Sequence, residues 1–321
     1  MKNLIIWAII VGAIAFFGTK WYMHKRVGEG VDMMVLMMSP WAQVEYDGIS
    51  STLTGELTID GVSTYITGFG DELEIDRIGI DTPSFLTLME LGDIGTGMNS
   101  VPEVPEYFGF IAEGVRFPVD ADYFKKLYRM MLEATGVGDK ARDPAAKCVG
   151  KYGFSPDALK GLGYDQQEFS MSIILRQQEQ SYAMEMTLDV EDMWKMDAVM
   201  TLAGDMTAEF MKGTAYRPKL REMRIEFEDD SLIERVNKYC DRLGLTPEQV
   251  LVAQMDKLDY MGRENGIIFD EYMTEPYKKF LDEKSTLIVT AKPNEPISVT
   301  HIDLYAPADV PALLNLEASV Q

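Results

Sequence analysis

The feature that most constrains this chain is an alternation of apolar and polar residues through its middle third. Phe169, Met171, Ile173 and Leu175 recur at every second position, and residues 177–180 read as a turn. Tyr182, Met184, Met186, Leu188 and Val190 answer on a second strand. Trp194, Met196, Ala198, Met200 and Leu202 follow, and Met223, Ile225 and Phe227 close the series. A period of two places each set on one face, which predicts an antiparallel meander with a methionine-rich apolar side. That side must be covered by helices or hold something apolar. Flexible thioethers repack around acyl chains of varied shape, so Met171, Met184, Met186, Met196 and Met200 form a candidate groove for a lipid or a partner. Ordinary core filling by downstream helices is the alternative.

Helix signals flank the meander. Tyr123, Phe124, Leu127, Met130, Met131 and Ala134 share one face of a predicted helix that starts at Asp120 or Asp122 and stops at Gly136. Ser231 with Glu234, and Thr246-Pro247 with Gln249, are two capping boxes. They predict helices over 232–243 and 247–261, and a third covers 270–283 despite Pro276. Leu287, Val289 and Ala291 begin a late strand, another follows over 297–304, and residues 309–316 form an apolar coda that docks on the domain. Upstream, Leu53, Gly55, Leu57, Ile59 and Gly61 alternate with polar residues between the turn signals Asp47-Gly48 and Asp60-Gly61. In the strand over 72–81 the apolar set changes parity between Ile75 and Ile78, which predicts a bulge near Asp76-Arg77. Residues 84–119 read as loop, punctuated by Gly92, Gly95, Gly97, Pro102 and Pro105. The glycines do not have the order of a dinucleotide fingerprint.

Residues 4–23 carry one charge, Lys20, and at ~1.5 Å per residue reach about 30 Å. This predicts a transmembrane anchor with Leu4, Trp7, Phe16 and Phe17 in the apolar stretch and Trp21 and Tyr22 at its interface. Met33, Met34, Met37 and Met38 then recur at helical spacing up to Ser39-Pro40. Lys20, Lys25 and Arg26 favour a cytoplasmic remainder by local charge, but long domains translocate regardless of flanking charge, so a single-pass, periplasm-facing topology is the expectation. The formal net charge is −22, which argues against nucleic acid as a partner. Between Val27 and Val115 sixteen acids stand against Arg77 alone, and Asp71, Glu72 and Glu74 are the candidate acidic docking face for a basic partner. Cys148 and Cys240 have no metal-binding spacing; in an oxidising compartment they are the candidate disulfide.

The run Val44-Glu45-Tyr46-Asp47-Gly48-Ile49-Ser50-Ser51-Thr52-Leu53-Thr54-Gly55-Glu56-Leu57-Thr58-Ile59-Asp60-Gly61-Val62, after one span and a short helix, resembles the opening of AsmA-like and YdgA-like envelope proteins of Gram-negative bacteria. The resemblance covers about the first 80 residues. It implies a β-rich domain on the periplasmic side of the inner membrane, with a role in envelope maintenance or phospholipid contact.

Catalytic motifs are scarce. Only His24 and His301 occur, and there is no G-x-S-x-G elbow, P-loop or H-E-x-x-H. The expectation is therefore an α+β chain with three parts: an anchor over 1–26, a β-rich segment over 27–119, and, continuous with that segment, an antiparallel sheet covered by helices over 120–321. It is a non-enzymatic protein of the inner membrane without cofactor or metal, binding phospholipid or, alternatively, serving as an accessory subunit that contacts another envelope protein.

Overall fold

The computed structural model describes residues 24–33, 35–67, 72–94, 105–138, 140–179, 181–204, 219–283, 285–298, 302 and 304–321. Its organising element is a single antiparallel sheet of twelve strands among these residues. The first half comprises β1 (Ala42–Glu45), β2 (Gly48–Ser51), β3 (Glu56–Ile66), β4 (Glu72–Asp81), β5 (Tyr107–Pro118) and β6 (Gln166–Gln178). The second half comprises β7 (Ser181–Val190), β8 (Trp194–Ala203), β9 (Lys219–Asp229), β10 (Thr286–Ala291), β11 (Ile297–Ser298) and β12 (Glu317–Val320). Spatial order is β1-β3-β4-β5-β6-β7-β8-β9-β10-β12, with β2 also on β3 and β11 also on β9. The sheet runs unbroken across the expected boundary at residues 119 and 120.

Two pairs of adjacent strands are joined by insertions of three α-helices each. After α1 (Phe85–Ile94), which links β4 to β5, the first insertion supplies α2 (Asp122–Thr135), α3 (Pro144–Val149) and α4 (Pro156–Leu162) between β5 and β6. The second supplies α5 (Leu232–Arg242), α6 (Pro247–Glu264) and α7 (Glu271–Asp282) between β9 and β10. The pairs Pro118↔Gln166, Val190↔Trp194, Trp194↔Asp229 and Thr286↔Glu228 show that both insertions leave from the same end of the sheet. They meet there, and Cys148 of α3 is bonded to Cys240 of α5 with Cα atoms 5.3 Å apart. Around the sulfurs pack Val119, Val149, Leu159, Leu162, Tyr164, Val236 and Tyr239. The β7–β8 turn wedges between the insertions. Met193 is buried and its carbonyl accepts the N–H groups of Asp230, Ser231 and Leu232; the Asp192 carbonyl accepts the Tyr164 hydroxyl at 2.8 Å.

The helix boundaries follow local chemistry. Thr246 and Gln249 complete a reciprocal capping box with Pro247 at the first helical position. Ser231 does not cap: its hydroxyl donates to the Asp192 carbonyl, and Asp229 instead accepts the Ile233 N–H at 3.0 Å. Neither Asp120 nor Asp122 caps α2, which begins after Ala121 without a side-chain cap, because Asp120 is held by Lys160 at 2.7 Å. Gly136 closes α2 in the left-handed conformation at φ 66°. The coda docks as α8 (Val310–Leu313) followed by β12, with Val310 and Leu314 buried against Leu220 and Ala291.

A kink crosses three neighbouring strands. Ile59, Ile78 and Ala112 lie opposite one another, as do Val62, Ile75 and Val115. In each strand the apolar parity changes between these rows, yet Leu57, Val62, Ala112 and Val115 are all buried. The change is possible because Gly61 and Gly114 adopt φ 62° and 61°, where an L side chain is strained. A Cβ on Gly61 would lie 2.2 Å from the Asp47 carboxylate, and one on Gly114 the same distance from that of Asp76. The register shift that absorbs the change falls in β5 against β6, between Ala112 and Val115. It is not in β4, where the sequence placed it. Asp60-Gly61 is accordingly interior to β3 rather than a turn, and the hairpin turn is at residues 52–55, with Gly55 at φ 100°.

Other expectations change as well. The segment read as loop over 84–119 contains α1 and the long strand β5. Among the described residues no helix is long and apolar enough to cross a membrane. The longest, α6, carries Glu248, Asp256, Lys257, Asp259, Arg263 and Glu264 along its length. The α+β plan led by a transmembrane helix therefore gives way to one built on the twelve-stranded sheet, and the single-pass inner-membrane, periplasm-facing placement goes with it. Leu4, Trp7, Phe16, Phe17, Trp21 and Tyr22 lie outside the described residues. Nor do the helices cover the sheet evenly. Buried apolar clusters occupy the insertion end, the β3–α1 flank around Leu57, Phe85 and Leu88, and the β9–β10 flank around Leu220 and Ala291.

Closing a loop across a sequence separation of 92 removes about 4–5 kcal/mol of unfolded-chain entropy. The Cys148→Ala/Cys240→Ala variant should lose a stability of that order in urea titration, and reduction of the native chain should produce the same loss. Gly114→Ala should cost about 1–3 kcal/mol, whereas Gly138→Ala, with open space around it and ordinary φ, should stay within about 0.5 kcal/mol.

Candidate apolar cleft and sheet face

The site begins with the docking of α2. Phe124 packs at 5.7 Å on Phe117 with the rings tilted, and Phe117 meets Phe169 edge-on at 6.5 Å, so the first turn of the helix is fixed to the sheet. No residue of α2 is buried, although the helix is strongly amphipathic. Farther along its apolar stripe Leu127 is 57% exposed and Met130 53%. The helix therefore leans over a space rather than closing it. That space is a cleft of about 310 Å³, bounded by Leu127, Tyr128 and Met131 on the helix, Phe154 on the insertion, and Val190 and Trp194 on the sheet. The buried amide of Gln167 also lines it, with its Nε2 donating to the Gln166 carbonyl at 3.4 Å. Burial pushes the Tyr128 hydroxyl pKa up.

From this cleft the apolar side of the sheet continues in rows. Phe169, Val190 and Trp194 form the first; Met171, Leu188, Met196 and Phe227 the second. Ile173, Met186, Ala198 and Ile225 make the third, and Leu175, Met184, Met200 and Met223 the fourth. At ~3.4 Å per residue, the distance from Val190 to Met184 is about 20 Å. Met171, Met184, Met186, Met196 and Met200 thus share one face and are all half-buried. Among the described residues none of the five belongs to the three buried clusters. One wall is built by α7, whose Phe280 meets Phe227 at 5.6 Å, and Phe227 stacks on Trp194 at 5.3 Å.

Lys257 lies behind the cleft. Its Nζ donates to the Val149 carbonyl at 2.9 Å, capping the carboxyl end of α3, and stands 5.3 Å from the Phe154 ring centre. Burial lowers its pKa to about 8.

The acidic candidates are divided. Asp71 lies outside the described residues; Glu72 accepts the Ser63 hydroxyl; Glu74 bonds Arg116 at 3.3 Å. Arg116 also bonds Asp76, at 2.8 Å, and holds that carboxyl below the usual carboxylate range. Arg77 bridges Asp60 and Glu113. Burial first, and then the Glu191 carboxylate, push the Glu168 pKa up. Across β3, β4 and β5 the polar side of the sheet is therefore an ion network cross-linked by two arginines. His301 lies outside the described residues, and among those described no group of three His, Cys, Asp or Glu residues could hold a metal ion.

The sequence reading missed the other side of α2. There Arg129, Arg142 and Lys147 line a second cleft of about 670 Å³. A signal was present: Lys125, Lys126, Arg129, Lys140, Arg142, Lys147 and Lys151 stand close together in an otherwise acidic chain.

A family model described only as an uncharacterized protein matches residues 184–321, from within β7 through the second insertion to Gln321. That span includes Met184, Met186, Met196 and Met200 but neither α2 nor Cys148. Comparison with curated proteins finds no match.

The sign of the Lys257 linkage is testable. Between pH 8 and 10.5 the unfolded chain holds a proton at Lys257 that the folded chain has released, so stability rises with pH across that window, and below pH 8 the full burial cost is felt. The stability of the native chain relative to Lys257→Met should increase from pH 8 to pH 10.5 by about 1–3 kcal/mol. Tyrosine titration is common to both variants and cancels. A flat difference would show that Lys257 is not desolvated.

Proposed function

We propose that this chain is a non-enzymatic binding protein whose ligand is a single acyl chain laid along the apolar side of β6–β8. The observation that carries the reading is continuity: the cleft under α2 adjoins four successive apolar rows, and the five methionines that β6, β7 and β8 contribute to them belong to none of the described buried clusters. The rows' length of about 20 Å suits an acyl chain, since a bilayer leaflet's hydrocarbon is about 15 Å thick. Thioethers are adapted to the task, because they conform to a flexible guest and still pack when it is absent. A cleft of about 310 Å³ is at the small end of ligand sites, which favours one chain over two. The resemblance of residues 44–62 to AsmA-like proteins, with its implied phospholipid contact, points the same way. The acidic face supports a docking role less well, since Glu74 is already engaged by Arg116.

A monoacylglycerol bearing a diazirine along its chain tests the reading on the full protein. Irradiation followed by peptide mass spectrometry should place adducts on β6, β7 and β8, and excess unlabelled monoacylglycerol should suppress them. Adducts confined to other elements, or insensitive to the competitor, would show that the face is sealed in solution.

A further inference from the structure

The second cleft stands against the charge of the whole molecule. Arg129, Arg142 and Lys147 line it with Glu133 as the acid among the lining residues, in a chain of net charge −22. Elsewhere Arg77, Arg116, Arg176, Arg224, Arg235 and Arg263 each hold a carboxylate within 4.0 Å. Neither Arg129 nor Lys147 makes an ion pair or a side-chain hydrogen bond with a described residue. Three cations line one concave wall of a chain whose exterior is otherwise acidic, and such a wall favours an anionic group.

This cleft adjoins the apolar one. Tyr128 lines both, and the neighbours Met131 and Leu132 on α2, and Phe154 and Ser155 beneath it, face one cleft and the other in turn. The helix is thus a divider with an apolar slot on one side and a roomier cationic basin on the other. Such a pair of compartments matches an amphiphile whose tail and anionic head part at Tyr128. The basin, at about 670 Å³, is larger than a bare carboxylate needs, and guanidinium groups match phosphate oxygens in a bidentate manner.

We infer that the α2 basin recognises the phosphate head of a single-chain phospholipid, a lysophospholipid, whose tail occupies the apolar slot and the sheet face beyond it. The inference rests on the acyl-chain reading above and adds the chemical class of its ligand. Arg129 and Lys147 hold the phosphate, and Arg142 adds its charge at the rim.

Two lipids that differ only in the phosphate separate the two levels of the argument: monopalmitoylglycerol and its phosphate ester, palmitoyl lysophosphatidate. Each is titrated against the full chain below its aggregation threshold. The phosphate ester should bind at least tenfold tighter at low salt, with an advantage that shrinks as ionic strength rises. Arg129→Glu combined with Lys147→Gln should abolish that advantage and leave monopalmitoylglycerol affinity within twofold of the native chain. Arg129→Glu alone, at an exposed position, should remove most of it. Equal affinity of the native chain for the two lipids, an advantage that survives in the double variant, or glycerol phosphate binding as tightly as the lipid would overturn the headgroup assignment. Failure of the native chain to bind either lipid would instead overturn the acyl-chain reading beneath it.

Discussion

The structure depends on two helical insertions leaving one end of one sheet and being joined there covalently. A twelve-stranded antiparallel sheet has no intrinsic reason to gather its helices at a single end. Here both long connections interrupt strands that remain neighbours, so each insertion must return to the edge it left. The Cys148–Cys240 bond then fixes the insertions to each other, and Met193 of the β7–β8 turn fills the space between them. Tyr164 and Arg235, whose guanidinium stands 4.5 Å from the tyrosine ring centre, complete that junction from opposite insertions. Concentrating the buried side chains at the end has a consequence for the rest. The middle of the sheet's apolar face is left half-buried, with α2 and α7 standing beside it rather than across it.

The kink through β3, β4 and β5 solves a second constraint. Strands directly opposite one another share faces, so one strand cannot exchange its inward parity alone. The exchange is made in a line, with glycines at positive φ in β3 and β5 and a carboxylate, of Asp47 between β1 and β2 or of Asp76 in β4, in the place each Cβ would take. Arg116 and Arg77 then tie the acids of this line together on the polar side. A segment with sixteen acids and a single arginine would repel itself across the sheet. Arg116 enters from β5, just beyond that segment, and pairs with Glu74 and Asp76 of β4. The acidic exterior is thus stabilised by the same residues that hold the kink.

What could be read from the sequence follows from these two constraints. The β6–β9 meander was legible because its apolar residues keep one parity from Phe169 to Leu175, Tyr182 to Val190, Trp194 to Leu202 and Met223 to Phe227, and Thr246-Pro247 was legible as a helix start because its box is entirely local. β5 was not. Its apolar residues change parity at Gly114, from Phe108, Phe110 and Ala112 to Val115 and Phe117, which erases the period that identifies a strand. The same change in β4 was visible, but the strand that carries the extra residue could be found only from the pairing. Ser231 illustrates another limit, since its hydroxyl is taken by Asp192, a residue 39 positions away. Of the candidate site, the methionine face and the stripe of α2 were both readable. That the stripe overhangs a cleft instead of sealing a core was not, because closure depends on where α3 and α4 place Phe154.

An incompletely covered apolar face costs stability and invites aggregation, so its persistence requires a physical account. The insertion end and both flanks of the sheet are held by buried clusters and by the disulfide, so the centre is not needed to hold the fold together. Methionine there reduces the cost further, because an unbranched thioether can fold down onto its neighbours when nothing lies above it. The pairs Met184↔Met200 and Met200↔Met223 place three such side chains side by side across β7, β8 and β9. Leucine or isoleucine at these positions would pack more rigidly and conform less to a guest. The composition of the face and the position of the helices are therefore consistent with each other: rigidity is placed at the insertion end, and adaptability where a guest would lie.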